Sequence, residues 1–138
     1  MNTCSTSSEN KSVVLTAFAI IYGIVFLLVG IAGFIPALMM KDLLFGIFNV
    51  DALHNVIHIV FGIIGLWVAC TSRSASRIYF KVVGIIYVIL AILGFWSGND
   101  PVLGTISNNL PVAWLHLAIG IVALILGFCT CCKKCHKA

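Results

Sequence analysis

Four long apolar runs constrain this chain more than any other feature of it. They lie at about 13–39, 44–70, 78–96 and 111–131. A bilayer core about 30 Å thick is crossed by about 20 helical residues rising 1.5 Å each, so every run is long enough to span. In 138 residues they leave no room for a soluble domain. Composition agrees, with 62% hydrophobic and only 9% charged residues, where ordinary soluble domains carry about a quarter. The sequence therefore predicts an all-α membrane protein, a four-transmembrane-helix bundle forming one domain over 1–138. The first run exceeds the roughly 7 to 15 residue core of a secretory signal, and no small-residue cleavage site follows, so we read it as a retained helix.

Lys and Arg collect in the short loops left on the cytoplasmic side. Arg73, Arg77 and Lys81 lie between the second and third runs, Lys133, Lys134 and Lys137 follow the fourth, and Lys11 precedes the first. The opposite side carries Lys41 with Asp42 and Asp100. Both termini are thus expected in the cytoplasm and the chain in the cell's inner membrane. The net charge of +4 is a topology signal that needs no nucleic-acid partner; the partner implied is the lipid bilayer. All six cysteines then lie on or near the cytoplasmic face, and no structural disulfide is expected.

The chain reads as one hairpin written twice. GIVFLLVGIAGF at 23–34 aligns on GIIYVILAILGF at 84–95, an offset of 61. HIVFGIIGL at 58–66 aligns on HLAIGIVAL at 116–124, an offset of 58. The repeats cover about 13–70 and 78–131, and two spans per repeat preserve orientation. The halves are therefore expected in the parallel arrangement, related by a pseudo-two-fold axis along the membrane normal. That places His58 and His116 at equal depth. Gly23, Gly30, Gly62, Gly65, Gly84, Gly120 and Gly127 recur on helix faces, where small residues let backbones approach in lipid. Pro36 and Pro101 punctuate the connections, Asn49 or Asp51 is placed to cap the second helix, Asn109 with Pro111 to open the fourth, and Ser74 or Ser76 to cap the third.

Polar groups inside an apolar helix need a partner, a ligand or a task. Asp51, His54 and His58 are spaced i, i+3, i+7 and share a face of the second helix, with Asn55 beside it. His116 approaches from the other half. One reading is structural, the imidazoles hydrogen-bonding across helices. A second is a haem or transition-metal site, built from His58 and His116 with His54, although Val112 stands where the second repeat needs a counterpart of His54. A third is a pocket for a small polar ligand. In the tail, Cys132 and Cys135 form a C-x-x-C and His136 adds a nitrogen, half of a zinc or redox motif. No second C-x-x-C completes it. Phosphate loops, catalytic triads and paired carboxylates are all missing, so the chain is not read as an enzyme, and no cofactor is required.

The order of motifs carries a resemblance. Gly33-Phe34-Ile35-Pro36, then LLFGIFNVDALHNVIHIVFG, SRSASR, YVILAILGF and NNLPVAWLHLAIG together resemble a family of small bacterial four-helix membrane proteins known as domain of unknown function 4383. The resemblance runs from Tyr22 to Phe128 and is most specific at Leu53 to His58. It implies a four-span bundle in a bacterial plasma membrane and supplies no catalytic residue. The expected role is structural or interacting, as a homodimer or with another membrane protein, or small-ligand binding through Asp51, His54, Asn55, His58 and His116. Haem or metal binding is the alternative.

Overall fold

The structure, a computed structural model, describes the backbone of residues 3–129 and the side chains of 13–128. It contains four long helices, α1 (Thr3–Ala32), α2 (Ala52–Thr71), α3 (Arg73–Ser97) and α4 (Leu110–Cys129). Each holds a stretch long and apolar enough to cross a membrane. Large exposed apolar side chains are spread over all four, Leu28, Ile63, Ile92 and Ile125 among them. A surface of that kind is stable in lipid and aggregates in water.

Helix limits differ from the expected ones. α1 starts at Thr3 instead of 13, because the polar lead continues the helix, and stops at Ala32 instead of 39. Beyond it the chain makes a 3-10 turn at Pro36–Leu38 and two short antiparallel strands, β1 (Met39–Met40) and β2 (Leu43–Leu44). Lys41 and Asp42 both adopt positive φ in the two-residue turn between the strands, as a type I′ hairpin demands. α2 accordingly starts at Ala52, not 44. Leu38, Met39, Met40, Leu43 and Leu44 made this connection look helical, since composition reports apolarity and is blind to left-handed backbone.

The two long connections, 33–51 and 98–109, lie at one end of the bundle, and each contains the same turn. Leu44 donates its amide to the Phe48 carbonyl at 2.8 Å, and Val102 to Ile106 at 2.8 Å. Inside the turns, φ is 55° at Phe45 and 73° at Gly46, against 54° at Leu103 and 71° at Gly104. Each turn leads into a capped helix. Asp51 accepts from the His54 amide, and Asn109 Oδ1 from the Val112 amide.

At the other end a single residue, Ser72, joins α2 to α3. Its amide donates to the Val68 carbonyl, closing α2, while its hydroxyl accepts from the Ala75 amide, opening α3. The third helix therefore begins at Arg73 instead of 78, and the cap expected from Ser74 or Ser76 is made by Ser72. Ser76 turns inward and donates to the Val68 carbonyl at 3.2 Å.

α1 packs along α2 and α3 along α4, with further contact of α3 on α2 and α1. Glycine makes the first two contacts close. A Cβ at Gly62 would stand 2.8 Å from the Leu27 nitrogen and 2.9 Å from the Gly23 carbonyl oxygen; at Gly120 it would meet the Val88 nitrogen at 2.9 Å. Neither helix pair tolerates a methyl there without separating. The core between the pairs is largely aromatic, Phe26, Phe80, Tyr79 and Tyr87 with Leu15 and Val83.

Candidate functional site

His54 and His58 occupy successive turns of α2, so their rings stack along one face. That face turns inward, toward His116 on α4. Their exposures are 5%, 4% and 5%, which places all three imidazoles in the interior. The ring centroids of His54 and His116 are 5.4 Å apart and those of His58 and His116 6.3 Å. One ligand nitrogen from each ring lies within 4.8 Å of the others. Rising 1.5 Å per residue, α2 carries His58 about 10 Å below its Asp51 cap.

The hydrogen bonds fix the protons. His54 Nδ1 is 3.3 Å from the Ser107 carbonyl oxygen, which can only accept, so this nitrogen carries the hydrogen. Neutral His54 therefore presents a bare lone pair at Nε2. His58 Nε2 lies 3.1 Å from it and donates to it, which leaves His58 Nδ1 an acceptor, buried without a partner among the described residues. Phe26 and Tyr87 close the floor, with ring centroids 5.3 Å from His58 and 5.0 Å from His116 respectively.

Asp51 does not belong to one hairpin only, as its position in the first repeat suggested. Oδ1 accepts from the His54 amide at 2.7 Å, and Oδ2 accepts from the Ser107 amide, in the connection between α3 and α4, at 2.6 Å. Burial works to raise its pKa, but the hydrogen bonds from these two amides outweigh that and hold the carboxyl below the usual aspartate range. Around it Asn49 donates to the Asn108 carbonyl at 3.2 Å and Asn109 to the Ile47 carbonyl at 2.8 Å. The two connections are thereby sewn together above the histidines.

Beneath this seam lies a cavity of about 50 Å³ lined by the three histidines, by Val29, Val112 and Leu115, and by Leu44, Phe45, Phe48 and Val50 of the first connection. A water occupies about 30 Å³ of liquid, so the cavity suits an ion, a water or a very small molecule. A porphyrin needs a pocket in the range of roughly 300–1,000 Å³ typical for sizeable ligands. The haem arrangement therefore does not fit between these rings.

Of the five residues proposed from the sequence, the structure brings His54, His58 and His116 together and sets Asp51 above them. Asn55 does not join them. Its side chain packs against Gly33 at the end of α1, where any Cβ would overlap it. Asn108, not singled out from the sequence, plays a comparable part in the other hairpin. It is 1% exposed, lies against Gly94, and donates to the carbonyls of Gly94 at 3.0 Å and Gly98 at 2.8 Å. Ser107 was also missed, and no signal could reveal it, since it acts through its backbone. The tail candidates Cys132, Cys135 and His136 lie outside the described residues.

The family described as Domain of unknown function (DUF4383) matches residues 16–129. No curated protein and no solved structure matches the chain.

Proposed function

The chain belongs to the DUF4383 family, and because that description supplies no activity, we propose a function from the site itself: a multi-pass membrane protein that binds one very small ligand in its bundle interior. The observation that carries this is the closure of three buried imidazoles around a cavity of about 50 Å³. Imidazoles kept only for architecture would spend both ring nitrogens on partners, as buried polar groups do. His58 spends one.

The ligand enters from the end where the two connections meet. Arg73 and Arg77 stand at the opposite, Ser72 end, which supports a cytoplasmic location for that end and for both termini. The matching turns at 44–48 and 102–106 support two tandem hairpins related by an axis along the membrane normal. The protein is a binding protein in this reading, with no catalytic step.

Thermal unfolding of the purified chain against a panel of small solutes and ions tests it. A ligand at 100 times its Kd stabilises by about 2.7 kcal/mol. One member of the panel protects the wild type and leaves His58→Leu unprotected. A panel in which nothing discriminates the two chains refutes the site.

A further inference from the structure

We propose that the ligand of the histidine centre is a late first-row transition-metal ion that imidazole nitrogens can hold, such as Zn²⁺ or Cu⁺. This rests on the small-ligand reading above and names its ligand. The donor set is three neutral imidazoles and includes no carboxylate. Mg²⁺ and Ca²⁺ require about six or more oxygens, whereas imidazole suits copper, zinc and nickel.

The geometry is close to a ligating one. Two nitrogens held about 2.0–2.1 Å from a tetrahedral metal stand about 3.3–3.4 Å apart. His54 Nε2 and His58 Nε2 are 3.1 Å apart, and the shared proton between them occupies the place a metal takes. His116 closes the triangle, since one ring nitrogen from each of the three histidines lies within 4.8 Å of the others. Ring rotation and a small approach of the hairpins bring it into range. Binding moves the His58 proton from Nε2 to Nδ1, so the ring remains a neutral imidazole, and no redox step is involved.

His54 is also prepared as metal ligands commonly are. Its Nδ1–H is held by the Ser107 carbonyl, which fixes the tautomer and aims the Nε2 lone pair at the centre. Ser107 is held in turn by the Asp51 carboxylate. Asp51 is therefore a positioning residue for His54 and touches no metal itself. Three protein ligands leave a fourth position, and a cavity of about 50 Å³ accommodates one solvent molecule beside the ion.

The experiment uses the full chain in detergent, carrying Cys129→Ser, Cys131→Ser, Cys132→Ser, Cys135→Ser and His136→Ala so that tail ligands contribute nothing. Zn²⁺, and Cu⁺ under argon, are titrated by equilibrium dialysis, with Mg²⁺ and Ca²⁺ as controls. One equivalent of Zn²⁺ or Cu⁺ binds, the controls do not, and His58→Gln and His116→Gln each weaken binding more than tenfold. Asp51→Asn weakens it by about 10–100-fold, the range for outer-shell partners, while X-ray absorption of the loaded protein shows nitrogen and oxygen neighbours without sulfur. Undiminished uptake in the His58→Gln, His116→Gln double variant, or a sulfur shell in the absorption spectrum, overturns the proposal; the spectrum needs only the tail-substituted chain with its histidines intact, so a variant that fails to fold does not rescue the idea. If neither metal binds while another solute protects the wild type against heating, the metal is wrong and the cavity reading stands. If nothing binds or protects, both fall.

Discussion

Replacing Asp51 by alanine should destabilise the bundle by about twice the roughly 1 kcal/mol typical of a helix cap. The carboxylate makes two bonds, one within α2 to the His54 amide at 2.7 Å and one across the hairpins to the Ser107 amide at 2.6 Å. Losing a helix cap costs about 0.5–2 kcal/mol. A hydrogen bond to a charged group contributes about 1.5–3 kcal/mol. The side chain is only partly buried, so water replaces some of what is lost, and the net cost falls near the lower end of the combined range, about 2 kcal/mol. Asp51→Asn offers one oxygen for two amides and no charge, so about 1 kcal/mol is expected for it. Unfolding in detergent by a sodium dodecyl sulfate titration, with Asp100→Ala as an exposed control, measures both. Should Asp51→Ala lie within about 0.5 kcal/mol of the wild type, the seam between the connections is not an energetic link and the reasoning fails.

The core tyrosines divide by their hydroxyls. Tyr22 donates to the Ile119 carbonyl and Tyr79 to the Phe61 carbonyl, each at 3.0 Å between helices, so Tyr22→Phe and Tyr79→Phe should each cost about 1 kcal/mol in thermal or detergent unfolding. The Tyr87 hydroxyl is buried without a partner among the described residues, so Tyr87→Phe should be neutral or stabilising; a loss as large as the other two would show that it has one. Gly62→Ala forces a methyl to within 2.8 Å of the Leu27 backbone nitrogen and should lower the midpoint by the equivalent of about 1–3 kcal/mol, while Gly98→Ala, with open space around it, pays only for its positive φ. In a background without native cysteines, Lys41→Cys should react in intact cells with a membrane-impermeant thiol reagent and Ser74→Cys should not; the reverse pattern inverts the proposed orientation.

The spans were legible because lipid imposes one requirement that composition reports directly, a run of apolar residues of sufficient length. The connection at 33–51 was not, because Leu38, Met39, Met40, Leu43 and Leu44 are as apolar as a helix while Lys41, Asp42 and Phe45 take left-handed backbone. Helix periodicity put Asp51, His54 and His58 on one face, and repeat alignment brought in His116. Asn55, which the sequence set beside that face, packs against Gly33 at the end of α1. The partner of Asp51 is a main-chain amide 56 positions away, and no side-chain pattern records such a bond.

The single-residue junction at Ser72 makes the molecule a pair of tongs. α2 and α3 are pinned there by two caps and by Ser76, so that end is the fulcrum for any rotation of one hairpin against the other. His54 lies about 27 Å from the pin along α2, at 1.5 Å per residue, and a swing of about 2° moves it by about 1 Å. A displacement too small to disturb the packing near the hinge is thus enough to open or close the gap between His54 and His116. The grip sits at the far end of the lever, where leverage is greatest, and the seam tied by Asp51 holds the jaws.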